Sequence, residues 1–149
     1  AQTLLDFYTG KITTAAAVNQ QTTTAKSYTL EEETLHLYVL IVTLSKGVKI
    51  SEIKNLISDY NTKNFSTAKL TISNIFLDNT RQIITVSNFE NKTKAMLYLN
   101  NIKTNKDVFS VLKPADYKQF IISVNNYPIM YKGKDTDKYY EFFQANYLK

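Results

Sequence analysis

The chain has 149 residues, 44% of them hydrophobic, which is enough for one domain with a substantial core and too few for two comfortable ones. It contains no cysteine, which excludes disulfides, thiolate nucleophiles and sulfur-ligated metals, and its single histidine argues against a histidine-based metal site. The net charge is +5, but Arg81 is the one arginine among 18 basic residues. Because arginine is the side chain that reads guanine edges and clamps phosphates, the charge indicates a lysine-rich solvated surface.

The first 27 residues have the character of a segment that precedes a domain. Residues 1–10 carry Leu4, Leu5 and Tyr8 at helical spacing before Gly10, so we expect the end of a helix whose partners lie elsewhere. Residues 11–27 are polar and low in complexity, which predicts a flexible linker. The domain itself is expected over residues 28–149.

The first strand is predicted over residues 35–43, where apolar side chains occupy both faces of the pleat. A strand that is buried on both sides is expected at the centre of a sheet. The run 37–42 is far shorter than the roughly 20 residues that span a bilayer, so we expect no direct membrane insertion. After Gly47, Ser51 is a plausible N-cap of a helix that ends near Asn64.

A hairpin is predicted next, with strands over 70–77 and 82–88 joined by a tight turn at 78–81. A second amphipathic helix is expected over 91–103, followed by a short helical turn near Val108 that stops before Pro114. The last strand of the sheet is predicted over 120–124.

This order of elements predicts an α+β fold, a ferredoxin-like βαββαβ sandwich in which the first and third strands are central. Right-handed crossovers place both helices on one face of the sheet. The opposite face then needs a cover, and we expect the C-terminal extension to supply it. Asp135 or Thr136 can cap a helix that runs to Tyr147 and is rich in aromatic side chains: Tyr139, Tyr140, Phe142, Phe143 and Tyr147.

Two interpretations of these rings stay open. They either complete the core of the domain or leave part of an aromatic patch free to dock a partner. A third possibility is the sheet edge, because the second strand, 70–77, is expected at an edge and is able to accept a partner strand.

No motif predicts catalysis or a cofactor. His36 is interpreted as a strand-end histidine, and Asp135 and Asp137 as residues of a helix start, where negative charge is favoured. Three glycines are too few for a phosphate-cradling loop. The third strand has no ring on which a base would stack, which argues against an RNA-binding domain. A ligand-sensing regulatory domain of the ferredoxin-like type remains an alternative.

Residues 28–147 resemble the C-terminal domain of large tetratricopeptide-repeat lipoproteins of Bacteroidetes, which belong to the gliding-motility and type nine secretion machinery. The matching stretches are HLYVLIV, KGVKISEIKNLISDYNTKNFS, LTISNIFLDNTRQIITVSNF, NKTKAMLYLNNI and FIISVNNYPIMYKGKDTDKYYEFFQANY. By this resemblance, residues 1–10 would be the last helix of a repeat array.

The resemblance implies a non-enzymatic scaffold module that binds other protein subunits of an envelope complex. It also implies a periplasmic location, with the full-length protein associated with the outer membrane. No catalytic residue, cofactor or metal is implied, and neither nucleic acid nor direct membrane insertion is expected. Because aromatic anchors dominate interface energetics, the predicted partner-binding residues are Tyr38, Tyr131, Tyr139, Phe142 and Phe143.

Overall fold

The computed structural model describes residues 28–45, 47–112 and 116–148. They form an α+β domain with one four-stranded antiparallel sheet and five α-helices. The predictions for 1–10 and 11–27, and Pro114, lie outside the described residues. In chain order the elements are β1 (His36–Thr43), α1 (Ile50–Asn64), a 3-10 turn (Ser66–Ala68), β2 (Thr71–Phe76), β3 (Arg81–Phe89), α2 (Lys92–Ile102), α3 (Lys106–Val111), β4 (Tyr117–Ser123), α4 (Tyr127–Gly133) and α5 (Thr136–Tyr147).

The strand order in the sheet is β2-β3-β1-β4, so β1 and β3 are central and β2 and β4 are the edges. In β1, Val39 pairs with Thr85 of β3 on one side and with Phe120 of β4 on the other. Every side chain from Tyr38 to Val42 is at most 3% exposed. The prediction of a central first strand that is buried on both faces is therefore confirmed.

Helices α1 and α2 cover the face of the sheet to which Tyr38 belongs. The Tyr38 ring lies 5.2 Å from the ring of Tyr98 in α2. The Tyr98 hydroxyl donates a 2.6 Å hydrogen bond to Oδ1 of Asn61 in α1, which ties the two helices together. Buried Ile53 and Ile57 complete the apolar side of α1. Burying one such side chain contributes about 1.5–3 kcal/mol, so this layer is a main source of stability.

Helix α5 covers the opposite face, as the sequence predicts. Side chains alternate between faces along a strand, so Phe120, which pairs with Val39, points away from α1 and α2. Its ring lies 4.9 Å from the ring of Tyr139 and 6.1 Å from that of Phe143. Tyr139 and Phe143 are four residues apart, which places both on one side of the helix.

Capping side chains are present at three helices, and the predicted cap at Asp135 is confirmed. Asn91, Asn105 and Asp135 each accept a hydrogen bond from the backbone N–H three residues later, and Asp78 Oδ1 accepts from the N–H groups of Thr80 and Arg81 in the hairpin turn. Such side chains satisfy amides that have no partner within the helix or strand.

Three local predictions differ from the structure. Strand β4 runs over Tyr117–Ser123 and not over 120–124, because it pairs with β1 as far as Val42. Helix α1 begins at Ile50, with Lys49 as N-cap and no capping side chain, so Ser51 lies inside the first turn. Partly buried Ile50 packs against the core, and its burial favours the earlier start. Helix α4 was not predicted from the sequence, although Pro128 in its first turn is a typical helix-start residue. Within the described residues, no helix has the length and apolar character needed to cross a membrane.

Candidate interaction site

Three of the five predicted partner-binding residues lie in the core. Tyr38 and Tyr139 are 0% exposed and Phe143 is 1% exposed. Tyr38 packs beneath α2, while Tyr139 and Phe143 pack beneath α5 against the sheet. A partner would reach these rings only if a helix left the sheet, so the structure corrects the expectation that they form a surface. They complete the core, which was the first of the two interpretations.

The other two predicted residues, Tyr131 and Phe142, are half-buried. The Tyr131 hydroxyl donates a 3.3 Å hydrogen bond to the carbonyl of Phe76, and Lys134 Nζ lies 4.8 Å from the centroid of its ring. The Phe142 ring lies 5.6 Å from that of Tyr28. Both rings therefore have partners within the domain and offer only part of their surface to another protein.

Buried hydrogen bonds hold α5 on the sheet. The Tyr139 hydroxyl donates to the carbonyl of Ile121 at 2.7 Å, and the Tyr147 hydroxyl lies 2.8 Å from Nε2 of His36. Burial raises the pKa of Tyr147 to about 12 and raises the pKa of Tyr139 further. Both phenols are therefore neutral donors at physiological pH. Helix α5 is a structural part of the domain.

The β4 edge of the sheet is covered along its second half. Thr43 N–H bonds to Asp116 and Val124 N–H bonds to Leu35, so by antiparallel alternation the backbone groups of Ile121 and Ser123 point away from β1. The Ile121 carbonyl accepts from Tyr139, and the Ser123 carbonyl accepts from the N–H of Asn126. These partners occupy the second half of the edge, whereas the outward backbone groups of Tyr117 and Gln119 have no hydrogen-bond partner among the described residues.

The β2 edge is open along most of its length. Leu77 N–H donates to the carbonyl of Arg81 at 2.9 Å, and the antiparallel alternation then turns the backbone groups of Ile72, Asn74 and Phe76 outward. Among the described residues, only the carbonyl of Phe76 has a hydrogen-bond partner on this side, the Tyr131 hydroxyl. The N–H groups of all three residues therefore face solvent.

Two large apolar side chains flank the open edge. Ile75 is 42% exposed and Phe76 is 58% exposed. Because they are adjacent in a strand, they lie on opposite faces of the sheet. A row of unpaired backbone groups beside exposed apolar side chains is a template for strand pairing.

A small hollow of about 220 Å³ adjoins this edge on the helix-covered face. Its walls come from the first turns of α1 and from β2: Ile50, Ser51, Lys54, Asn55 and Asn74. Lys54 Nζ donates to Asn74 Oδ1 at 2.8 Å, and Asn74 Nδ2 donates to Gln82 Oε1 at 2.7 Å. These bonds fix an ammonium group beside the outward-facing strand.

A larger groove of about 410 Å³ lies between α4 and the start of α5. Tyr28, Pro128 and Ile129 form its apolar wall. Three charged residues line the rest together with Gly133: Lys132, Asp135 and Lys138. No group of three or more histidine or carboxylate residues suited to hold a metal ion occurs within residues 28–45, 47–112 and 116–148.

These features define an α+β domain whose sheet is packed on both faces, covered along half of the β4 edge and open along most of the β2 edge. Comparisons of the chain with protein-family models, with curated proteins and with solved structures found no match.

The sequence predicted the edge position of β2 but not the side chains that line this edge. The alternative of docking along 70–77 rested on strand order, and the structure places that strand at an edge. The contribution of Lys54 was missed because it depends on a contact with Asn74, twenty residues away in the chain. The exposure of Ile75 and Phe76 follows from their place at the outer edge, which a β-rich run alone does not reveal.

Proposed function

We propose that this chain is a non-catalytic protein–protein interaction module that binds a partner segment along the β2 edge. The open edge between Ile72 and Phe76 carries the proposal. An added strand gains main-chain hydrogen bonds from the outward N–H groups, and its side chains gain contact with Ile75 and Phe76. The partners of Ile121 and Ser123 occupy half of the β4 edge, and Ile75 and Phe76 add exposed apolar surface at β2, so pairing is more favourable along β2.

We propose further that the domain belongs to the ferredoxin-like class. Two observations support this assignment: the strand order β2-β3-β1-β4, and the position of α1 and α2 on one face of the sheet. Helices α4 and α5 are then the extension that covers the face left open in the bare sandwich.

The resemblance to Bacteroidetes tetratricopeptide-repeat lipoproteins supports a setting for this module. We propose that it works as a scaffold in an envelope complex of the type nine secretion and gliding-motility machinery, in the periplasm and linked to the outer membrane through the full-length protein. Its partners would be protein subunits of that complex.

A proline substitution tests the edge. In Ile72→Pro the outward N–H is replaced by a ring, which blocks strand addition but leaves the hydrogen bonds to β3 in place. Ile72→Ala is the matched control, because it also shortens the side chain but keeps the N–H. We expect affinity capture from a Bacteroidetes envelope extract to yield secretion or motility subunits with the wild type and somewhat less with Ile72→Ala, which loses part of the Ile72 contact. Capture should be at least about tenfold weaker with Ile72→Pro than with Ile72→Ala.

Hydrogen exchange on the captured complex provides a second measurement. Binding should slow exchange of the Asn74 and Phe76 amides, which face solvent in the free domain. Equal capture by the two variants, with unchanged exchange at these amides, would contradict the proposal. So would recovery of RNA or metabolic enzymes without envelope subunits.

The groove beside Tyr28 favours a second candidate, a ligand-sensing regulatory domain. A small ligand with both an apolar part and a charged group would match its apolar wall and its lysines. A ligand that binds the native state raises the melting temperature in proportion to the logarithm of its concentration. Such a rise in the wild type, lost in Lys132→Glu, would support this candidate.

A further inference from the structure

The chemistry of the β2 edge indicates what kind of strand it accepts. We propose that the partner segment carries an Asp or Glu side chain opposite Asn74, received by the Lys54 ammonium, with an apolar residue two positions before it and another two positions after. This inference rests on the proposed edge-docking function and adds the sequence pattern of the partner.

The position of the carboxylate follows from the hollow beside the edge. Lys54 uses one ammonium hydrogen to bond Asn74, so two of its three donors remain. No carboxylate of the described residues lies within ion-pair distance of Lys54. The hollow of about 220 Å³ in front of it has room for the carboxyl group of one side chain. A carboxylate is the group that completes such a site.

The apolar positions follow from the register of the strand. Ile72, Asn74 and Phe76 lie on the same face of the sheet, and all three turn their backbone groups outward. Residues directly opposite one another in adjacent strands have Cβ atoms about 5 Å apart. A partner strand with its acidic residue at Asn74 therefore places its neighbours two residues away against Ile72 and Phe76. Apolar side chains would cover the Phe76 ring, which is 58% exposed.

A second copy of this chain is a less suitable occupant. Antiparallel pairing of two β2 strands around Asn74 would set Ile72 against Phe76 of the other copy, which is favourable. It would also bring the two Lys54 side chains to the same place, and facing like charges are destabilising. A partner strand with an acidic residue makes the same apolar contacts and adds an attractive charge. The β2 edge therefore favours this partner over a second copy of the chain.

Synthetic peptides test the proposed pattern on the full chain. The probe is a capped nonapeptide with the core Val-Thr-Glu-Thr-Val and serine or threonine flanks, and its analogue has Gln in place of Glu. We expect the Glu peptide to bind about fivefold more tightly at low salt, because one partly exposed ion pair contributes up to about 1 kcal/mol. This preference should shrink as salt is raised.

Two substitutions in α1 identify the source of the preference. Lys54→Met keeps the aliphatic stem and removes the charge, so it should bind the Glu and Gln peptides equally. Lys63→Met is the matched control, because Lys63 is an exposed lysine in the last turn of the same helix. It should leave the preference unchanged. Melting temperatures of both variants confirm that the fold is intact.

The outcomes separate the two levels of the proposal. If neither peptide binds the wild type and Ile72→Pro behaves like Ile72→Ala, the edge-docking function itself fails. If both peptides bind with equal affinity, or if Lys54→Met keeps the preference, the acidic pattern fails while edge docking stands. Sedimentation that shows a dimer with protected β2 amides would identify a second copy as the occupant and overturn the acidic pattern.

Discussion

At the scale of single residues, the buried His36 side chain has a hydrogen-bond partner at each ring nitrogen. It is 0% exposed, its Nδ1 lies 2.7 Å from the carbonyl of Thr34, and its Nε2 lies 2.8 Å from the Tyr147 hydroxyl. A carbonyl only accepts, so Nδ1 carries the proton and Nε2 accepts from Tyr147. The neutral ring therefore joins the start of β1 to the end of α5.

The titration of His36 should make stability depend on pH. Burial lowers its pKa, which outweighs the opposing effects of the Thr34 hydrogen bond and of Glu31, while Lys92 adds to the lowering. In the unfolded chain His36 has an ordinary histidine pKa of about 6.5. The unfolded chain therefore binds the proton more readily than the folded chain does. We expect the free energy of unfolding to be fully retained above about pH 6.5 and to fall as the pH drops below it.

Urea denaturation between about pH 7.5 and 5 measures this dependence, since most carboxylates titrate below that window. His36→Gln should flatten the curve. Tyr147→Phe should cost about 1–3 kcal/mol at neutral pH, because it leaves Nε2 buried without a donor. A wild-type stability that stays constant from pH 7.5 to 5 would contradict the assignment of a neutral, buried histidine.

At the scale of elements, the sequence predicted those parts that depend on local signals. Helix α5 starts after Asp135 and ends at Tyr147, as expected from its capping residue and its aromatic spacing. The hairpin and α2 are present within one or two residues of their predicted bounds. Local signals were sufficient because a cap or a turn is made by residues only two to four positions apart.

The sequence could not predict which aromatic rings are buried and which are partly exposed, for a physical reason. Tyr139 and Phe142 have similar chemistry and lie in the same helix, yet only Tyr139 is fully buried. The difference comes from long-range contacts, namely the bond from Tyr139 to Ile121 and the His36–Tyr147 pair, whose members are 111 residues apart. Periodicity identifies an amphipathic face but not the side chains that the sheet will reach.

The hydroxyl of Tyr139 should therefore matter more than that of its neighbour. Tyr139→Phe leaves the Ile121 carbonyl buried without its donor, and we expect a loss of about 1–3 kcal/mol in the free energy of unfolding. Tyr140→Phe is the control, because the Tyr140 hydroxyl makes no hydrogen bond with any described residue. Its effect should stay within about 0.5 kcal/mol. Equal losses in urea titrations of the two variants would show that the Tyr139 bond contributes little.

At the scale of the whole molecule, both faces of the sheet depend on the same central strand. Tyr38 packs under α2 while the neighbouring Val39 faces the α5 side, so both helical layers pack against β1. Loss of either layer would expose one face of the most apolar strand. The two layers are thus expected to be stable only together, and the β2 edge stays accessible in that state.

This dependence predicts a single cooperative thermal transition. The tyrosine signal in the near-ultraviolet, to which the buried Tyr38, Tyr98 and Tyr139 contribute, should change at the same temperature as the far-ultraviolet signal of the helices and strands. If α5 instead detached at a lower temperature, near-ultraviolet intensity would fall first and hydrogen exchange of the Phe143 amide, which lies within α5, would quicken before that of β1. That outcome would mean that Tyr139 and Phe143 become available in a partly open state, and docking through the rings of α5 would then compete with docking along β2.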